Sequence, residues 1–324
     1  MLGAWNFVRS PSISPIHSLP FVFFANRAHH CGNSHPCLSV FICGYTPLMA
    51  RDITGKTIII TGASSGIGEA SAIECAKSGM NVVLNARRAD RLESVADAVR
   101  SHGRKAALVV GDVTDAGMSD RLLDAADEEF GGFHAVFANA GYGLKRCVID
   151  MGDEELRKIF EVNFFASFDL IQKAAQRLVE REYAGHLLMC SSCLSKFTTA
   201  EYAAYTSTKA AQNHFCWAMH IELTPHDIPV TSVNPIQTIT EFGEASRKES
   251  GTDPDAHYQN RKPGMFVQPP ERIGRAVVKC LRKPKPEVWT SHIVRLTAAT
   301  GIAFPWVMEK LLRARDAKRR RAAR

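Results

Sequence analysis

Tyr205 and Lys209 stand four residues apart in "YTSTK". On a helix that spacing brings a phenol and an ammonium onto one face. A free phenol ionises near ~10, so alone it is a poor proton acceptor at neutral pH. A cation beside it favours the phenolate and lowers that value. The pair can give a proton to a carbonyl oxygen or take one from an alcohol. Tyr202 has Thr206, not a lysine, four residues on, and is assigned to the mouth of a substrate site instead.

"TGASSGIG", Thr61 to Gly68, offers a second kind of chemistry. Gly62, Gly66 and Gly68 let the chain turn sharply and let a phosphate approach the start of a helix. Unpaired N–H groups and the helix dipole there favour an anion. The spacing is G-x-x-x-G-x-G, and glycines alone would also suit a plain structural turn. The position of this run between a first strand and its helix is what points to a dinucleotide.

"LMCSSCLSKF" frames Ser191 and Ser192 with Cys190 and Cys193. Cys-x-x-Cys reads as a redox pair or half a zinc site. In a strand, Cys190 and Ser192 share one face while Cys193 faces the other way, which is poor geometry for a shared metal. "HHCGNSHPC" matches no zinc spacing and lacks a second ligand pair. No metal site is assigned. The nine cysteines are odd in number and scattered, which suits free thiols in a reducing compartment and a cytoplasmic location.

The elements that must carry these groups follow from periodicity. "KTIIIT", "MNVVLNA", "KAALVVGDV", "HAVFANAG", "HLLMCSS", "IPVTSVNP" and "PEVWT" read as strands. Between them lie helical runs, among them a long one over residues 153–185 and "AAYTSTKAAQNHFCWAMHIEL". The alternation predicts βαβ units and one α/β domain, a doubly wound parallel sheet of Rossmann type with helices on both faces. That domain is assigned to residues 49–300, with no second domain and no repeat. Residues 1–48 hold no acid and no persistent period. An upstream start, with the functional chain opening at Met49, is preferred to a disordered extension or a targeting segment.

Six motifs occur in order: "TGASSGIG", "GDV" with Asp112, "NAG" from Asn139 to Gly141, Asn163 in "EVNFFA", Ser192, and "YTSTK". Together they resemble the short-chain dehydrogenase/reductase family over roughly residues 53–290. The resemblance implies hydride transfer between a nicotinamide cofactor and a carbonyl or secondary alcohol, with Tyr205 as acid/base and Lys209 also holding the nicotinamide ribose. Ser192, thirteen positions before Tyr205, would polarise the substrate carbonyl, a role for which Ser191 is less suited. Asn163 would stabilise a proton-relay water near Lys209. The cofactor would meet Gly62, Ser64, Ser65, Gly66, Ile67 and Gly68 at the turn, and Asp112 and Val113 beside the adenine. Asn139, Ala140 and Gly141 would shape the floor beneath it, and Pro235 and Thr240 would lie near its amide. Family members read Pro-Gly where this chain has Pro235-Ile236, so the turn there is expected to differ.

The second strand ends in "NARRA", with Ala86 where NAD-users of the family carry an acid. Arg87 and Arg88 follow, and guanidinium groups suit a 2′-phosphate. The expected cofactor is NADP(H). The bland alternative, solvated charges at a helix start, runs against the helix dipole. The polar stretch from Glu241 to Pro270 is expected to cover the substrate as a lid.

The formal charge of +7 equals the balance of residues 310–324 alone, eight bases against Asp316. The rest of the chain is neutral, which argues against nucleic acid as a partner. Residues 301–324 read as an amphipathic and basic tail, its helix running from Pro305. The tail is expected to pack on the protein's own body or a second subunit of a homodimer or homotetramer. Peripheral contact with a membrane surface is the sharper alternative, and would suit a lipid, retinoid or steroid type of substrate. A cofactor-binding regulator without turnover is a further alternative, which the retained Tyr205 and Lys209 argue against.

Overall fold

A computed structural model describes residues 50–251, 263–264 and 266–322. The readings made for residues 1–48 lie outside the described residues. β1 (Thr57–Thr61), α1 (Gly66–Lys77), β2 (Asn81–Ala86), α2 (Ala89–Ser101), β3 (Ala106–Val110), α3 (Met118–Phe130) and β4 (Ala135–Ala138) form the first half. The long helical run then appears as α4 (Asp153–Phe160), a π-turn (Glu161–Phe165) and α5 (Ala166–Glu180). It ends five residues before Gly185, earlier than the periodicity predicts.

β5 (His186–Cys190), α6 (Ala203–Leu223) and β6 (Val230–Asn234) follow. A two-residue pair, β7 (Gln237–Thr238) and β8 (Val267–Gln268), brackets α7 (Phe242–Ser250). α8 (Pro270–Arg282), β9 (Glu287–Trp289), α9 (His292–Ala303) and α10 (Pro305–Ala322) complete the chain. The polar stretch read as irregular therefore contains a helix, α7, and its residues 252–262 lie outside the described residues.

Seven strands form one parallel sheet in the order β3-β2-β1-β4-β5-β6-β9. Period-two alternation distributes the apolar side chains over its two faces. Ile58 and Ile60 of β1 join Cys75 of α1, Leu92 of α2 and Val277 of α8. Ile59 between them joins Leu122 of α3, Ile171 of α5 and Met219 of α6. α8 lies close on α1: a Cβ at Gly274 would stand 2.7 Å from the Ala70 carbonyl oxygen. The strand order reverses between β1 and β4, so the crevice outside their carboxyl ends is where a doubly wound sheet takes a ligand.

α9 and α10 depart from this pattern. α9 buries Val294 and Ala298, whereas no residue of α10 with a described side chain is buried. Of the tail, Trp306 is 67% exposed and Leu311 60%. α10 rests on α9, with Met308 against Gly301. Among the described residues, no helix is long and apolar enough to cross a membrane.

Candidate active site

α6 brings Tyr205 and Lys209 together at the carboxyl end of β5. Both are buried, Tyr205 at 9% and Lys209 at 3% exposure. Lys209 Nζ lies 5.8 Å from the centroid of the Tyr205 ring. The ammonium donates to the Cys190 carbonyl at 2.8 Å and to Gln212 Oε1 at 3.0 Å. Burial pushes Lys209 down to about 8, opposed by the Cys190 thiol.

The two serines separate cleanly. Ser191 donates its hydroxyl to the Lys209 carbonyl at 2.8 Å and so fastens α6 to the strand end. Ser192 Oγ accepts from Leu194 N at 3.1 Å and caps a short 3-10 turn, Cys193–Ser195. β5 stops at Cys190, two residues short of the strand reading. Cys193 therefore sits in the turn, not on the opposite face of a strand. Both cysteines are free thiols. Burial raises Cys190, and it pushes Cys193 up to about 11 against hydrogen bonds from Ser192 and Leu194.

Asn163 is fully buried in the π-turn. Its Oδ1 accepts from Tyr142 N, and its Nδ2 donates to Tyr142 O, both at 2.9 Å. Nδ2 also donates to Thr208 Oγ1 at 3.2 Å. The main-chain carbonyl of Asn163 accepts from Gln212 Nε2 at 2.5 Å. A side-chain amide thus links Lys209 to the Asn163 carbonyl. Gln212 was not singled out from the sequence. Its signal was there: Tyr205, Lys209, Gln212 and Cys216 follow the 3.6-residue period and are all buried.

The glycine turn and the Asn139–Gly141 turn are clamped together. Asn139 Nδ2 donates to the carbonyls of Thr61 at 3.0 Å and Gly62 at 3.3 Å. Thr61 Oγ1 accepts from the N–H groups of Asn139 and Ala140. The backbones approach so closely that a Cβ at Gly62, where φ is +64°, would lie 2.9 Å from Ala140 Cα. At Gly68 it would lie 2.2 Å from the Gly62 carbonyl oxygen. Thr240 reaches the same turn, its methyl 2.9 Å from a Cβ at Gly66. Ser65 caps α1 in extended conformation without a side-chain cap bond, so the helix start keeps donors for an anion. Ser64 and Ile67 are half-buried there. Val113 lines a small cavity with Thr61 and Ala140. Gly141 sits beside Lys209, a Cβ there being 3.5 Å from its Nζ.

At the end of β2, Arg88 donates to Ser64 Oγ at 3.3 Å and to Glu241 Oε2 at 2.8 Å. Arg87 is 77% exposed and meets Asp112 Oδ2 at 3.4 Å. Burial raises Asp112, but hydrogen bonds from Thr114 and the charge of Arg87 outweigh it and hold the carboxyl low. The Pro235 carbonyl accepts from Cys193 N at 3.0 Å. Ile236 is buried and does not have a positive φ, so this turn does not require the family glycine.

Apolar side chains surround the phenol. Leu144, Ile159 and Ala204 pack with Tyr205, flanked by Tyr142, Leu194 and Tyr202. Phe242 of α7 lies 5.8 Å from the Tyr205 ring and Tyr202 lies 6.5 Å from it. α7 is held there by Lys158–Glu249 at 3.0 Å and by the Lys145 N–H donating to Ser250 Oγ.

Residues 56–251 match the family profile described as short chain dehydrogenase. The L-rhamnose 1-dehydrogenase (NAD(P)(+)) of a Sphingomonas strain is 32% identical over 194 residues, 59% of this chain and 76% of that protein. A short-chain type dehydrogenase/reductase from Mycobacterium marinum is 32% identical with a TM-score of 0.63, over 71% of this chain and 89% of the other. An alcohol dehydrogenase from Thermococcus sibiricus, complexed with 5-hydroxy-NADP, is 28% identical with a TM-score of 0.62, over 72% and 94%.

The raised thiols of Cys190 and Cys193 mark them as inert. In the folded protein at neutral pH, both should react with a thiol-alkylating reagent far more slowly than after unfolding. Rapid labelling of either in the native state, or stoichiometric zinc by metal analysis, would overturn this reading.

Proposed function

The chain belongs to the short-chain dehydrogenase family of oxidoreductases, and we propose that it is an NADP(H)-dependent carbonyl reductase or secondary-alcohol dehydrogenase. The observation that carries the reading is the buried meeting of Tyr205 and Lys209 beside Gly141. A bound nicotinamide cofactor supplies or accepts the hydride. Tyr205 gives the proton to the carbonyl oxygen, or takes it from the alcohol. The Lys209 ammonium favours the phenolate and so brings its ionisation toward neutral pH. Lysine has three donors; two serve Cys190 and Gln212, and the third is assigned to the cofactor ribose. Ser192 polarises the substrate oxygen. Leu144, Tyr202 and Phe242 exclude water and favour an apolar carbonyl compound.

Ala86, Arg87 and Arg88 support NADP(H) over NAD(H). Ala86 places no carboxylate of its own against a 2′-phosphate, and Arg88, paired with Glu241, already joins that end to Ser64 of the glycine turn. Exposed Phe165 and Phe215 on the α5–α6 side support self-association. The apolar residues that α9 and α10 leave exposed adjoin the cationic run of residues 310–324, which supports contact with an anionic lipid surface.

NADPH consumption over a panel of carbonyl compounds tests the reaction. Tyr205→Phe should abolish turnover while NADPH still binds. Arg87→Ala should weaken NADP(H) by about 1.5 kcal/mol, roughly tenfold, with little effect on NAD(H). Equal or tighter NAD(H) binding by the wild type would sink the cofactor assignment. Light scattering should find an oligomer that Phe215→Asp reduces in size; a monomeric wild type would refute self-association. Flotation with vesicles rich in phosphatidylserine should carry the full chain in a salt-sensitive way and lose a version ending at Lys310. If neither form floats, the lipid contact is wrong.

A further inference from the structure

Gln212 is fully buried, and both ends of its amide are engaged. Oε1 accepts from Lys209 Nζ at 3.0 Å. Nε2 donates to the main-chain carbonyl of Asn163 at 2.5 Å and lies 3.4 Å from Ser167 Oγ. Only one orientation of the amide satisfies both principal partners, because the ammonium can only donate and the carbonyl can only accept. The π-turn supplies that carbonyl from within an otherwise helical run. We infer that Gln212 is a positioning residue that holds the Lys209 ammonium, charged, under Tyr205 by bracing it against the Asn163 carbonyl. The inference rests on the reading of Tyr205 and Lys209 as the proton-transfer pair.

The neighbourhood explains why a brace is needed. An ammonium out of water keeps its proton only where acceptors replace the lost hydration. The groups that face Lys209 are Tyr205 and Gln212 from α6, Cys190 from β5, Asn163 from the π-turn and Gly141 beyond β4. Of these, only Tyr205 and Cys190 titrate, and burial raises the Cys190 thiol, which stays neutral. The charge therefore rests on two oxygen acceptors, the Cys190 carbonyl and Gln212 Oε1. Burial already brings Lys209 down to about 8. Losing one acceptor lowers it further, and Tyr205 then ionises beside a neutral amine.

Near-ultraviolet difference titration of the phenolate reads this without turnover. Wild type and Gln212→Met, each with and without Tyr205→Phe, isolate the Tyr205 midpoint. Methionine matches glutamine in size, so a purely structural role would leave the midpoint where it is. The expected result is an upward shift of about one unit, the worth of one hydrogen bond to a charged group. Should Gln212→Met not fold, Gln212→Leu serves: it too removes the acceptor, and the midpoint should again rise. An unchanged midpoint in either folded variant overturns the inference. Failure to oxidise NADPH over the carbonyl panel would instead count against the proposed reaction, and leaves the titration intact.

Discussion

A lysine ammonium buried at the carboxyl end of β5 is the constraint around which the site is built. Removing such a charge from water costs several kcal/mol unless its donors find acceptors. Lys209 finds the last carbonyl of β5 and the amide of Gln212. Each partner imposes a condition on a different element. β5 must stop at Cys190. Ser191 must turn inward to the Lys209 carbonyl and fix the register of α6. The helix before β5 must loosen into a π-turn at Asn163, whose side chain then ties down Tyr142 and Thr208. Strand end, α6 and π-turn form one hydrogen-bonded unit, and Tyr205 takes its position from it.

The cofactor side is rigid for a different reason, close backbone approach. Gly62 and Gly68 leave no room for a side chain against Ala140 and the turn itself. Thr61 and Asn139 then cross-link the ends of β1 and β4 at the point where strand order reverses. A doubly wound sheet opens its crevice at that point. The charged rim is built more loosely. Arg87 and Arg88 sit at the exposed end of β2, held by Asp112, Ser64 and Glu241. Glu241 also joins that rim to the start of α7, whose Phe242 covers Tyr205. Exposed pairs of this kind hold little energy, so a phosphate can displace them.

Charge and exposure divide the chain in the same place. Its whole net positive charge lies in residues 310–324, and its C-terminal helices leave Leu296, Trp306 and Leu311 uncovered. The electrostatics of the site are accordingly local. They arise from Lys209, Arg87 and Arg88, and not from a field of the whole molecule.

Continuous apolar runs such as "TIIIT" and the glycine spacing of "TGASSGIG" identify their elements because the cause is local. A strand buried on both faces must be apolar throughout, and a turn that admits a second backbone must lack Cβ atoms. The helix of Tyr205 and Lys209 was legible to its last residue, since their shared face follows from 3.6-residue geometry. α7 and α9 escaped because short helices take most of their stability from what they pack on. The end of β5 and the π-turn lay equally beyond the sequence, and Gln212 was marked there only as a position on the buried face of α6. Ser191 and Ser192 are chemically identical, and only the tertiary structure bonds the one to the Lys209 carbonyl of α6 and the other to Leu194 N of the turn after β5. The sequence alone determined which groups could exchange a proton and bind a phosphate. Tertiary structure decided which acceptors keep Lys209 charged, because a buried ion is stabilised by oxygens brought from elements distant in the chain.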